Sequence, residues 1–287
     1  MGSGGWTTKD YINYSASVGR TATTDGLMGN YSAQDLFRQR TLDENLDPRN
    51  AMRECCDTEE HPRTVPIILA LDVTGSMGGA LVEVAKRLNV VMSDIFKNVR
   101  DAEVMVMGIG DLAYDRFPIQ ASQFESDVRV AEWLDKIFFE RGGGGNSYES
   151  YTAAWYFGAF HTKLDCWERG ERGILITVGD EPLNPYLPGK RLMELTGGPA
   201  QDMDTGALYE TAKKKYDIYH LAVADIRNAY SLYKDEIRSS FGQYLDDRHL
   251  RVVNLDSIAS EVVSIVANRG ENATAPETER VDGLISW

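Results

Sequence analysis

The stretch "IILALDVTGSMGG" (residues 67–79) sets an apolar run, one carboxylate, two hydroxyls and three glycines into thirteen residues. An uninterrupted apolar run closed by glycine and small polar residues reads as a strand buried on both faces. Asp72 then falls at the strand's carboxyl end, with Thr74 and Ser76 directly after it. Fold and function both turn on why a chain carries a carboxylate to that place.

Outward from this stretch, short apolar runs alternate with longer amphipathic segments. "VPIILAL" is followed by residues 80–99, then "EVMVMGI" by residues 128–139. After a glycine run come residues 149–164, "GILITV", residues 205–216, "IYHLAVA", residues 229–241, "LRVVNL" and residues 258–267. Continuous apolar strands separated by helices are what a parallel sheet covered on both faces requires. The expected fold is therefore α/β: a doubly wound, mostly parallel sheet flanked by helices, over residues 65–269. Residues 1–64 are rich in Gly, Ser, Thr, Asn and Asp with no sustained period, and read as an irregular N-terminal arm with a short helix at residues 32–39. Its spaced aromatics (Trp6, Tyr11, Tyr14, Tyr31, Phe37) imply docking, either on this domain or on a neighbouring subunit. Residues 270–287 form a polar C-terminal tail that carries Leu284, Ile285 and Trp287.

Charge narrows the function. The 287 residues include 44 acidic and 30 basic side chains, a formal charge of −14, so the summed field repels nucleic acid and anionic membrane surfaces. Lys213, Lys214 and Lys215 close an expected helix, where they complement its dipole. Three cysteines, Cys55, Cys56 and Cys166, argue against a disulfide framework and for a reducing compartment. The opening "MGSGGWTTKD" lacks a basic start followed by an apolar core, and no long apolar window follows, so a cytoplasmic protein is expected.

In an open α/β sheet, ligands gather at the carboxyl ends of the strands. Asp72, Thr74 and Ser76 follow the first strand; "GGGGNS" (residues 142–147) precedes a helix; Asp180 and Glu181 follow "GILITVG"; Asp111 ends "VMVMGIGD". Crowded carboxylates repel one another, and no Lys or Arg lies in the loops that hold Asp72 and Asp180. A divalent cation resolves that repulsion. The donors are all oxygen, which suits Mg²⁺, Mn²⁺ or Ca²⁺ and not Zn²⁺, with Mg²⁺ the best fit to so few carboxylates. Taken singly, Asp72 reads equally well as the N-cap of the helix that follows.

"DVTGSM" after an apolar strand resembles the Asp-x-Ser/Thr-x-Ser signature of the von Willebrand factor A (VWA) domain, whose metal-ion-dependent adhesion site (MIDAS) is built from three loops. The resemblance spans residues 65–268 and includes the order of the loops. It implies that Asp72, Thr74 and Ser76 ligate a metal directly or through water, that Asp180 is the third-loop carboxylate, and that Asn146 or Ser147 serves the second loop, where many members carry Thr. It further implies recognition rather than turnover, with a partner's Glu or Asp completing the coordination sphere, and a partner such as an AAA+ ATPase.

Other chemistries fit less well. Gly108, Gly110 and Ala113 match a dinucleotide pattern, but Pro118 interrupts the helix it should open. The position two before Ser76 is Thr74 and not the glycine of a nucleophile elbow. None of the four histidines (His61, His161, His220, His249) adjoins the loops, and His220 reads as a core residue. The expected function is a non-enzymatic, metal-dependent protein–protein interaction module. Two alternatives stand beside it. One is an assembly subunit of a large complex such as a phage particle, its arm contacting copies of itself. The other is a metal-dependent hydrolase with Glu149, Glu181 or Asp111 as base.

Overall fold

The structure, a computed structural model, describes residues 4–142, 148–225 and 229–269. At its centre are six strands: β1 (Val65–Asp72), β2 (Ala102–Ile109), β3 (Ile119–Ala121), β4 (Gly173–Gly179), β5 (Tyr216–Val223) and β6 (Leu250–Val253). Their spatial order is β6-β5-β4-β1-β2-β3, and every neighbouring pair is parallel except β2–β3. The antiparallel edge β3 is only three residues long and follows Pro118, too short to carry a period of its own.

Side chains on β1 alternate between two cores, as strand geometry requires. Ile67, Leu69 and Leu71 face one, and Ile68 and Ala70 face the other. Ten helices are described: α1 (Thr8–Ser17), α2 (Ala33–Leu36), α3 (Gly78–Asn98), α4 (Arg129–Lys136), α5 (Thr152–Phe160), α6 (Asp165–Glu168), α7 (Gly189–Thr196), α8 (Thr205–Lys215), α9 (Ala229–Phe241) and α10 (Ile258–Ala267). Helices α3, α4 and α10 cover the first face; α5, α8 and the Ile237–Phe241 turn of α9 cover the second. Helix α3 forms because Leu81, Val84, Ala85, Leu88, Val91, Met92 and Ile95 recur at three- and four-residue spacing, and each is buried. Burying one such aliphatic side chain is worth about 1.5–3 kcal/mol.

Residues 4–64 are irregular over most of their length, broken by α1, α2 and a hairpin of Thr21–Thr23 with Gly26–Met28. Their aromatics dock on this domain: Tyr11 and Phe37, with Leu27 and Leu36 beside them, lie in the same core as α3. Asn89, buried on α3, clasps the segment. Its Oδ1 accepts from Trp6 Nε1 at 3.0 Å, and its Nδ2 donates to the Thr24 carbonyl at 2.8 Å. A last piece, Arg53–Cys55, pairs in parallel with Thr162–Leu164.

Two expected helices are shorter than their apolar patterns, and tertiary pairing is the reason. The segment expected as helix over 128–139 stops at Lys136, because Phe138 N donates to Gln120 Oε1 at 2.7 Å and Glu140 N donates to the Val73 carbonyl at 2.9 Å. The segment expected over 149–164 is helical only at α5, since Thr162–Leu164 is taken as a strand by Arg53–Cys55. Residues 270–287 lie outside the described residues. Among those described, no helix is long and apolar enough to cross a membrane.

Candidate functional site

The strand order reverses between β1 and β4, and such a switch point opens a crevice at the carboxyl edge. The last β1–β4 pair is Leu71 with Val178. Asp72 is one residue past that pair and Asp180 two past, so two carboxylates from distant loops meet over the crevice. Both are fully buried. The sequence brings them here because two apolar strands end at the same level of the sheet.

Asp72 is held from three directions. Its Oδ1 accepts from Thr74 N at 2.9 Å and from Thr74 Oγ1 at 2.6 Å, while its Oδ2 accepts from Tyr151 Oη at 2.8 Å. It does not cap α3; the N-cap there is Met77, with no side-chain hydrogen bond. Ser76 Oγ donates to Asp180 Oδ1 at 3.2 Å and joins the first loop to the third. Asp180 Oδ2 is buried without a hydrogen-bond partner. Asn146 and Ser147 lie outside the described residues. The described ends of their loop do reach the crevice: Gly75 N donates to the Gly142 carbonyl at 3.2 Å, and Tyr151 follows four residues after Ser147.

Tyr151, which carries no sequence motif, organises the centre of the site. Its hydroxyl donates to Asp72 and accepts from Glu181 N at 3.3 Å. Its ring packs against His220 and Phe241, with centroids 4.9 and 5.8 Å away. Gly179 makes room for it, since a Cβ there would sit 1.9 Å from the phenol oxygen. His220 beneath is neutral: burial pushes its pKa down to about 3, and its Nδ1 pairs with Thr177 Oγ1 at 2.8 Å.

The crevice is strongly acidic. Burial, then the charge of Asp180, raises Asp72 to about 7. Burial, then the neighbouring Glu181, raises Asp180 to about 6. Glu181 rises to about 7, through burial and then Asp72, and buried Glu149 is raised as well for the same two reasons in the same order. Asp111 is buried too, its Oδ1 accepting from Ala113 N at 2.8 Å in a turn, so no dinucleotide-type helix opens after Gly108. Among the described residues, no Lys or Arg forms an ion pair with Asp72, Asp180, Glu149 or Glu181. Nor do three His, Cys, Asp or Glu side chains come together as a metal-holding group. What converges is two carboxylates and two hydroxyls, the hard-oxygen donor type that a small divalent ion accepts.

Strand order 3-2-1-4-5-6 with one antiparallel edge makes this a doubly wound three-layer α/β fold, with carboxylates at its switch point. No protein-family model matches the sequence, and no curated protein does. Solved structures that resemble the chain include the pilus adhesin SpaC of Lactobacillus rhamnosus GG, in its open conformation, at 13% identity and a TM-score of 0.45. That match covers 78% of this chain and 31% of SpaC, so the chain spans about a third of the adhesin's length. The vWF domain of the type V pili tip protein Mfa5 from Porphyromonas gingivalis matches at 10% identity and a TM-score of 0.44, over 76% of this chain and 98% of that one. Proximal thread matrix protein 1 of the mussel byssus matches at 14% identity and a TM-score of 0.38, over 71% of this chain and 45% of that one.

Proposed function

We propose that this chain is a non-enzymatic protein-recognition module whose carboxyl-edge crevice holds Mg²⁺, or Mn²⁺ or Ca²⁺ in its place, and receives a Glu or Asp side chain of a partner. One observation carries the reading: two buried carboxylates, Asp72 and Asp180, meet with no cationic side chain among the described residues to neutralise them. The orphaned Asp180 Oδ2 is the free donor such a site needs.

Asp72, Thr74, Ser76 and Asp180 would hold the ion, with Asn146 or Ser147 as second-loop donor. Bound there, a divalent ion would supply a concentrated positive charge with an exchangeable position for a carboxylate. Thr74 fixes the orientation of Asp72 through two hydrogen bonds, and Tyr151 fixes its other oxygen. Ser76 couples the first loop to Asp180, so a shift of either loop is felt by the other. Free Cys55, Cys56 and Cys166 support a reducing, cytoplasmic setting for this activity.

The assembly alternative depends on an arm free to reach a neighbour, and Tyr11 and Phe37 are already spent in this domain's own core. Metal-dependent recognition is tested by partner capture in Mg²⁺ and in EDTA, with wild type and Asp72→Ala side by side. Capture that requires Mg²⁺ and is lost in the variant supports the reading. Capture that persists in both contradicts it, and phosphoester turnover lost in Asp72→Ala would favour the hydrolase instead.

A further inference from the structure

A second cleft is lined in part by the loop that follows β2. We propose that this cleft, formed by residues 42–49, residues 116–119 and α7, docks a partner segment in which acidic side chains alternate with apolar ones. The choice of a peptide rests on the recognition reading above; the metal plays no part in it.

The cleft is about 380 Å³, and three arginines, Arg49, Arg116 and Arg191, line it in a chain that carries a net −14. Their partners decide what it can bind. Arg191 is engaged: Nε donates to the Leu112 carbonyl at 3.2 Å, one terminal nitrogen to the Asp115 carbonyl at 3.1 Å, and the other to Glu194 Oε2 at 3.3 Å. Asp47, the cleft's other acid, has its Oδ1 occupied by Arg49 N at 2.9 Å. Among the described residues, the Arg49 side chain donates to the Glu194 main-chain carbonyl and to no carboxylate. Arg116 rests on the face of Phe117, 4.8 Å from the ring centroid, and no carboxylate pairs with it among the described residues. Among the described residues, neither Arg49 nor Arg116 forms an ion pair, and three arginines against Asp47 and Glu194 leave the cleft with an excess of positive charge. Between them lie the half-buried side chains of Leu42, Phe117 and Leu195.

Charge complementarity selects an anion, and the apolar wall selects one with an apolar neighbour. Inorganic phosphate would satisfy the arginines and leave that wall wet. An acidic peptide with alternating apolar residues uses both. The two sites also share a loop: Asp115 Oδ2 accepts from Asp111 N at 2.7 Å at the strand end, and the next residue, Arg116, lines the cleft. A partner lying along this edge meets an acidic crevice and a basic cleft in turn.

The experiment measures fluorescence anisotropy of a labelled peptide of alternating Glu and Leu, against Glu/Ser and Lys/Leu peptides, in Mg²⁺ and in EDTA. Wild type is expected to bind the Glu/Leu peptide in EDTA, where the crevice has no metal to offer it, and more tightly than either control; Asp72→Ala is expected to bind it equally in both buffers. The double variant Arg49→Ala, Arg116→Ala, both sites exposed and its fold checked by thermal unfolding, is expected to lose about tenfold in affinity. Unchanged affinity in the double variant overturns the proposal, as does full displacement by inorganic phosphate. Binding seen only in Mg²⁺ and abolished by Asp72→Ala would assign the peptide to the crevice and also overturn it. Calorimetric titration of Mg²⁺ into the same proteins reads the metal site separately, so one reading can fail without the other.

Discussion

At the scale of single residues, Asp72, Thr74, Ser76 and Asp180 were legible because each directly follows an apolar strand, and strand ends are where an α/β sheet exposes side chains to a ligand. Tyr151 was not legible. Its role comes from reaching across to a residue 79 positions earlier, over a Cα that must be glycine. Tyr151→Phe removes one hydrogen bond to a buried carboxylate and should lower stability by about 1–3 kcal/mol, read by urea unfolding. No change would mean that the phenol does not hold Asp72. At the other end of the sheet, Glu103 is fully buried, and burial raises its pKa from 4.5 to about 7, with a hydrogen bond from the Cys55 thiol and the charge of His61 pulling it back. A carboxyl that holds its proton more tightly when folded stabilises the fold at low pH. That contribution is fully present below about pH 4.5 and is lost as pH climbs to about 7. Glu103→Gln cannot ionise, so it should be more stable than wild type by about 1–3 kcal/mol at about pH 8 and lose that advantage at about pH 5. Parallel unfolding curves at the two pH values would refute this.

At the scale of elements, five of the six strands and the long helices followed from hydrophobic period alone, since α3 and α10 bury stripes at helical spacing. Helix ends did not follow. The stops at Lys136 and Phe160 are imposed by hydrogen bonds to Gln120, to Val73 and to the Arg53–Cys55 strand, which are remote in sequence. The docking of residues 4–64 was legible only as scattered aromatics, because the clasp itself is a single polar residue, Asn89, inside an apolar stripe. Gly26 marks the tightest point of that docking. Its φ is +114°, and a Cβ there would lie 1.8 Å from the Lys86 carbonyl. Gly26→Ala should therefore lift the Thr21–Thr23/Gly26–Met28 hairpin off α3 and cost about 2–4 kcal/mol. Asn89→Ala should cost about 1–3 kcal/mol by leaving the Thr24 carbonyl and Trp6 indole unpaired. Limited proteolysis should then cut within residues 18–30 of either variant before the core; wild-type cleavage patterns would contradict the docking.

At the scale of the whole molecule, the doubly wound order places a reversal between β1 and β4, and the buried carboxylates sit there. The basic cleft beside it was not legible, since Arg49, Arg116 and Arg191 come from segments far apart in sequence and are joined only by the fold. A chain with net −14 that buries both Asp72 and Asp180 would be relieved by a cation, and binding one should then raise stability by mass action. The most direct test is calorimetric titration of Mg²⁺ into metal-stripped wild type and Asp180→Ala. One saturable site per chain in wild type, absent from an equally folded variant, is the predicted result. No heat of binding in wild type, or the same isotherm in both proteins, would contradict a metal at the crevice.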